Sequence, residues 1–359
     1  MSNNLRMYHK ILTQLCQWLP DERITRMRNL ALLVTGLYLS GAVQLPLVAR
    51  KWHLPGKEPS LVNRLRRFLS NKRLSVKACY RPVAQQLVGV FAGHAIRLVI
   101  DCTKVGFNHQ VMVVAIAYRR RTLPLAWSVH RGAKGHVAVA NQIALLRQVK
   151  TLLPPESEVW LVGDSGFRNV PLLRWMRTQG WHYVIRQTGH VMVSWPGQSW
   201  VRLVNLGLVE GETRIIGWAR LTRKNNYGWV WLILHWKKGE KEPWYLVASR
   251  SGGLDLIARY KQRMWIEEMY GDMKGHGFDL EATHLRQAER ISRLMLGVCL
   301  AYTWLISLGS WVVKRGYRHL IDRKDRRDKS LFRLGWDWTE RCCSRNLPFR
   351  LQFIPYLGK

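Results

Sequence analysis

"YKQRMWIEEMYGDMK", residues 260–274, carries two different patterns on one stretch of chain. Read as a single helix at about 100° per residue, it puts Tyr260, Arg263, Glu267 and Lys274 on one side, with Arg263 roughly 60°, Glu267 about 20° and Lys274 about 40° from Tyr260 around the axis. Trp265, Ile266, Met269 and Met273 fall on the opposite face. The spacing of three, four and seven is normally that of an apolar core stripe. Here it also governs the polar front, made of a phenol, two cations and an acid. Glu268 stands one step round, and Asp272 lies off the arc. Charge support between neighbouring turns produces such faces in many basic helices, but it says nothing about two aspartates upstream.

Those two aspartates close apolar runs. "IRLVID" reads as a short strand ending on Asp101, and "VWLVGDSGF" as a buried strand that stops at Asp164 before a glycine-containing loop. Each alone is an ordinary turn or cap residue. Strand C-terminal ends are also where open α/β sheets place their chemistry. If the two strands are neighbours, two carboxylates come close together, repel, and invite a hard cation such as Mg2+ or Mn2+. Glu267 supplies the third carboxylate that such a site needs.

Around these residues the chain changes character in stages. The first ninety or so residues read as helical, and "LPLVARKWHLPGKEPSLVNRLRRFLSNKRL" has the outline of two helices joined by a Gly/Pro turn. Ser60 is the expected N-cap of the second, which carries Arg64, Arg66, Arg67, Lys72 and Arg73. It reads either as a helix-turn-helix-like DNA reader or as a solvated basic face. From Ile96 the order of elements is β-β-β-α-β-α-β, with a polar turn at Arg119 to Thr122, which suits a mixed α/β sheet. Residues 190–247 turn all-β, alternating, Trp-rich and Gly-punctuated, and read as an inserted β domain. The expected division is 1–92 (helical, DNA-binding), 93–189 (core, first part), 190–247 (β insertion), 248–315 (core, second part) and 316–359 (basic and irregular).

Composition narrows the partner. The chain has 359 residues with 57 Lys+Arg against 23 Asp+Glu, a formal charge of +34. The basic residues run along the whole length, so the partner is a polyanion met on several surfaces, with nucleic acid first and an anionic membrane second. Six cysteines show neither CxxC pairs nor zinc-ligand spacing, as expected of free thiols in a reducing cytosol. No secretory signal is apparent. Leu30 to Ala49 and Leu294 to Val313 each run about twenty residues without a charge, long enough to span a bilayer. Both have arginines on either side, so no loop-charge asymmetry orients them, and buried helices of a large protein read the same way.

Tyr, two residues, Arg, three residues, Glu, six residues, Lys is the YREK signature, and in that respect the chain resembles the cut-and-paste transposases of bacterial insertion sequences in the family numbered four. All four positions match, at Tyr260, Arg263, Glu267 and Lys274. "IDCTKVG" and "LVGDSGF" resemble the surroundings of that family's two catalytic aspartates, and the all-β block resembles the insertion that splits its RNase H-like domain. The resemblance covers roughly residues 95 to 315. It implies catalytic and metal-binding roles for Asp101, Asp164 and Glu267, holding two Mg2+ ions for which Mn2+ substitutes. It implies DNA contacts for Tyr260, Arg263 and Lys274. It also implies cleavage and strand transfer at terminal inverted repeats, target DNA as second substrate, a homodimer on paired ends, and action in the bacterial cytoplasm on the nucleoid, with no membrane.

Six tryptophans of the insertion (Trp195, Trp200, Trp218, Trp229, Trp231, Trp236) are candidates for stacking on a flipped base, although most are expected in the sheet. His130, Lys134 and His136 are expected in a loop after the third strand. The rival readings are a DNA-binding derivative without chemistry (a repressor or architectural protein), a basic membrane protein, and a plain nuclease on the same scaffold.

Overall fold

The computed structural model describes residues 3–132 and 137–356, so Lys134 and His136 lie outside the described residues. Five helices come first: α1 (Asn3–Trp18), α2 (Ile24–Ser40), α3 (Leu45–Arg50), α4 (Glu58–Ser70) and α5 (Val76–Gly89). The first long apolar run is interrupted at Gly41, whose φ of 61° is left-handed and ends α2. The run is thereby divided between α2 and α3. Helix α4 starts two residues before the expected cap, with Pro59 in its first turn, so Ser60 lies inside the helix. Lys72 and Arg73 follow its end at Asn71.

The sheet then builds in the expected order. Strands β1 (Ile96–Val105), β2 (His109–Tyr118) and β3 (Arg121–Arg131) form an antiparallel meander, followed by α6 (Val139–Lys150), β4 (Val159–Gly163), α7 (Val170–Thr178) and β5 (His182–Gln187). Strand β4 pairs parallel with both β1 and β5, giving the order β3-β2-β1-β4-β5 of an RNase H-like mixed sheet. The β2 residues are buried along their whole length, as a strand covered on both faces must be.

The inserted strands do not fold apart. They are β6 (Met192–Trp195), β7 (Gln198–Arg202), β8 (Thr213–Leu221), β9 (Gly228–His235) and β10 (Trp244–Ala248). Strand β10 pairs antiparallel with β5, in register Ala248↔Val184, and the sheet continues to ten strands as β5-β10-β9-β8-β6-β7. An uncovered β5 edge would leave a row of backbone donors and acceptors without partners, and β10 supplies them.

The chain finishes with α8 (Leu254–Lys261), α9 (Met264–Met273), α10 (Ala288–Lys314) and α11 (Leu331–Ser344). The 260–274 stretch is therefore not one helix. Between α8 and α9 the bonds tighten to the i→i−3 type, Arg263 N–H to the Tyr260 carbonyl at 2.9 Å and Trp265 N–H to the Gln262 carbonyl at 3.0 Å. Its apolar back survives the break, since Ile266, Met269 and Met273 are all fully buried.

Helix α10 contains the second long apolar run. Among the described residues it is the one helix long and apolar enough to cross a membrane, yet 89% of its most apolar window is buried inside the fold. It packs on α2, β3 and α11. Its crossing with α11 is close: a Cβ on Gly309 would collide with the Leu331 carbonyl, and one on Gly335 with that of Leu305. The C-terminal region is only partly irregular. Leu331, Phe332, Leu334 and Trp338 recur at helical spacing and bury α11 against the core, and Phe349 and Phe353 are buried beyond it.

Candidate active site

The parallel β1/β4 ladder ends at the pair Ile100↔Gly163, and the next residue on each strand is an acid. Asp101 and Asp164 are thereby placed side by side. The expectation that Asp101 ends its strand is corrected: β1 runs on to Val105, because its other edge keeps pairing with β2 through Val105↔His109. What ends at Asp101 is the contact with β4. Gly163 fits this narrow place, since a Cβ there would lie 3.0 Å from the Ile100 side chain and 3.1 Å from that of Phe167.

Each aspartate is steadied by a local backbone donor. Cys102 N–H donates to Asp101 Oδ1 at 2.8 Å, and Gly166 N–H donates to Asp164 Oδ1 at 2.8 Å. The second bond makes Asp164 the cap of the short 3-10 turn Ser165–Phe167, so one carboxylate is both a cap and a member of the cluster. Helix α9 is docked onto β1 by the buried Tyr270, whose hydroxyl donates to the Asp101 carbonyl at 2.9 Å. That bond sets the phase of α9 and brings Glu267, one turn earlier, toward the aspartates.

Arg263 sits among them. Its guanidinium lies 2.7 Å from Glu267 Oε1 and 3.8 Å from Asp101 Oδ2. Burial, against the pull of Arg263, pushes Asp101 up to about 7, and the charges of Asp164 and Glu267 add to the rise. Burial draws Arg263 down, but Tyr260, Glu267, Asp101 and Asp164 outweigh it and the net shift is upward. Arg263 thus bridges Asp101 and Glu267, and the charge of Asp164 is felt by both Asp101 and Arg263. Among the described residues no three carboxylate, imidazole or thiol groups stand close enough to hold a metal ion. The donor set nonetheless suits a hard divalent cation, and the guanidinium is a stand-in charge within it.

The other expected contacts divide. Tyr260 is buried, with its ring edge-on to Trp244 at 5.0 Å, and burial raises its hydroxyl to about 12. Lys274 follows the last turn of α9 and pairs with Glu281 at 2.6 Å; no bond joins it to the three acids. In the N-terminal helices, Arg64 Nε donates to Asn29 Oδ1 at 2.8 Å and Arg66 to Asn63 Oδ1 at 3.1 Å. Arg64 and Arg67 line a cleft of about 750 Å³ together with Arg23, Arg26 and Arg73. Arg23 and Arg26 carry no signal of this in the sequence, where they read as the ordinary charged flank of an apolar helix.

His130 is corrected from loop to strand, on β3, where its Nε2 meets the Ser128 hydroxyl at 2.8 Å. Of the candidate stacking residues, Trp218 and Trp229 are exposed, and Arg220 lies over Trp229 at 5.3 Å. Trp231 and Trp236 spend their ring N–H groups on the Gly252 and Glu240 carbonyls.

Sequence reasoning missed Arg121. It opens β3 and reaches α9, bonding Asp272 at 2.8 Å and Glu268 at 3.0 Å. Asp272, off the polar arc in the sequence, is buried on this bond, and burial lifts its carboxyl to about 6 against the pull of Arg121.

Residues 98–304 match a family described as a transposase DDE domain. No curated protein matches the chain. A similar solved structure is that of a piggyBac transposase synaptic complex with hairpin DNA, at 10% identity over 96% of this chain and 84% of that one, with a TM-score of 0.46.

Proposed function

The chain belongs to the transposase DDE-domain family, with residues 98–304 of its 359 inside the match, and from that premise we propose that it is a cut-and-paste transposase of an insertion sequence, of the YREK-bearing family numbered four. The observation that supports the reading is the pair Asp101 and Asp164 following the Ile100↔Gly163 rung, with Arg263 bridging from Asp101 at 3.8 Å to Glu267 at 2.7 Å.

Asp101, Asp164 and Glu267 would hold two divalent ions, Mg2+ with Mn2+ as a substitute. Such ions, when bound, sharpen a water for attack on a phosphodiester and take up charge on the leaving 3′ oxygen. The chain's own residues do the positioning. The two backbone-steadied aspartates fix one wall of the site, and the Tyr270 bond to β1 holds the Glu267 turn against it. Arg263, released from Glu267, presents a planar two-pronged donor to a phosphate beside the cleaved bond. Tyr260 supports Arg263 from behind, and Lys274 adds a point charge at the far end of α9.

The α2/α4 cleft with Arg64 and Arg67, helped by the exposed Arg66 of the same helix, would grip the duplex of the terminal inverted repeats. A second copy of the chain would hold the second end, and target DNA would enter the same site. With such a partner the protein would act in the cytoplasm on the nucleoid.

The test uses the purified chain, Mg2+, a labelled duplex carrying the terminal repeat that flanks the coding region, and a supercoiled plasmid. Cleavage at the end followed by joining to the plasmid is the expected result. Cleavage without joining would leave a nuclease, and DNA binding without either would leave the DNA-binding derivative.

A further inference from the structure

The turn between β2 and β3 is made of Arg119 and Arg120, with φ of 43° and 63°. A two-residue hairpin turn of type I′ needs this left-handed backbone at both positions and usually recruits Asn or Gly to provide it. Two arginines kept there at the cost of strain mark a place where the side chains matter. The turn is also fixed in position. Arg121, the next residue, ties it to α9 through Asp272 and Glu268, on the same helix as Glu267.

Facing the turn is the segment between α10 and α11. It is folded around Arg318, which donates to the Lys324 carbonyl at 3.0 Å and the Arg326 carbonyl at 2.6 Å, and it offers Arg327 toward the hairpin. Between the two lies a cleft of about 410 Å³ with Arg119, Arg120, Arg121, Arg327 and Lys329 on its walls and Glu267 at one end. Arg327 is exposed overall, yet partial desolvation in the cleft and the charges of Arg120, Arg121, Arg318 and Arg119 pull it below the ordinary guanidinium range. Among the described residues neither Arg120 nor Arg327 lies within 4.0 Å of a carboxylate; the acids nearby are committed elsewhere, Glu268 to Arg121 and Asp328 to Arg323 and Arg326. Five cations (Arg119, Arg120, Arg121, Arg327, Lys329) against three acids (Glu267, Glu268, Asp328) leave the lining net positive, which suits an anionic ligand.

The cleft is one half of a path. On the other side of Arg263 lies a second cleft of about 740 Å³, lined by Arg186, Lys237 and Lys261, and Met264 borders both. A strand whose scissile phosphate sat at Glu267 would run out of the site on either hand over basic walls.

We propose that the cleft between the Arg119–Arg120 turn and Arg327 holds the phosphates of the DNA strand that continues past the scissile bond. The inference rests on Glu267 marking the site of chemistry. The shared chemistry is a phosphodiester backbone, and it has two sources: the donor DNA flanking the uncut end, or target DNA at the joining step.

The experiment measures binding as well as chemistry, so that it reads out even if no cleavage occurs. An R120Q/R327Q double variant is compared with wild type on three probes: a terminal-repeat duplex trimmed at the scissile bond, the same duplex with about 20 base pairs of flank, and the trimmed duplex with plasmid target in Mg2+. Both side chains are exposed and outside ion pairs, and an R120K/R327K variant that keeps the charge controls for folding.

Affinity for the trimmed end should be unchanged. Weaker binding of the flanked duplex by roughly tenfold, with a salt slope reduced by about 1 to 2, assigns the cleft to flanking DNA. Loss of joining to the plasmid with flank binding intact assigns it to target. The lysine variant should recover most of either effect. Equal affinities, salt slopes and joining for the glutamine variant and wild type would overturn the proposal. Wild-type protein that binds the flank through this cleft and yet never cuts would count against the transposase reading alone.

Discussion

Arg263 bonds Glu267 one turn along α9 at 2.7 Å, and so a cation of the protein's own occupies the place where an acidic cluster needs a positive charge. In the function proposed above, Arg263 would leave Glu267 for a DNA phosphate, and the acids would then be open to divalent ions.

Removing that internal cation should expose the site. For Arg263→Ala without DNA, Mn2+ should bind several-fold to about tenfold more tightly, a gain on the order of 1 kcal/mol, while cleavage of a labelled end falls. Titration calorimetry reads the first and a denaturing gel the second. Unchanged Mn2+ affinity would mean that Arg263 does not compete for the acids.

The raised Asp101 gives a pH signature. The unfolded chain loses this proton near the ordinary carboxylate value of 3.8, whereas the folded chain keeps it up to about 7. Between those limits the folded state binds more protons, so stability falls as pH rises from about 4 to about 7 and stays lower above. Asp101→Asn removes this penalty. The metal-free variant should be more stable than wild type at pH 8 by on the order of 1–3 kcal/mol and no more stable at pH 4. Denaturant unfolding at the two pH values checks this, and a variant destabilised at pH 8 would show that Asp101 is not held at a cost.

Arg121 carries the link between the hairpin and α9. Arg121→Ala leaves Asp272 buried without its partner, at a cost of about 3 kcal/mol in the metal-free protein. Adding Asp272→Asn should return part of that loss, because the stranded group becomes neutral. A thermal midpoint that the first change leaves in place would remove the bond from the set that holds the site together.

The crossing of α10 and α11 depends on the absence of side chains. Gly335→Ala should lower stability by roughly 2–3 kcal/mol through overpacking against Leu305, with DNA affinity of the folded fraction unaltered. Unfolding followed by circular dichroism, beside a binding isotherm, separates the two.

Much of this was legible in the sequence where one signal dominated. Buried β runs, each reaching an acid, gave the order of elements along the chain and the two aspartates, because apolar runs are a local pattern; the adjacency of β1 and β4 and the true end of β1 at Val105 were hidden, because pairing decides both. The polar spacing of 260–274 pointed to Arg263 and Glu267, though periodicity alone reads through the tight turn at Gln262 and implies one helix. The joining of β10 to β5 was hidden, since edge pairing is a long-range contact that an alternating pattern does not specify. Arg121 and Asp272 were hidden for the same reason: 151 positions apart, each looks like a surface charge until packing buries the pair. Lys274 shows the reverse, a matched position whose side chain here goes to Glu281.

The central claim is that Asp101, Asp164 and Glu267 act together on a phosphodiester. Its most direct test is cleavage of the labelled end in Mg2+ by wild type and by Asp101→Asn, Asp164→Asn and Glu267→Gln, with DNA affinity measured on the same preparations. Each variant should bind the end within about threefold of wild type and cut it at least ~10³-fold more slowly, as expected when a member of a metal-holding set is lost. Wild-type cutting by Glu267→Gln, or by either asparagine variant, would contradict it.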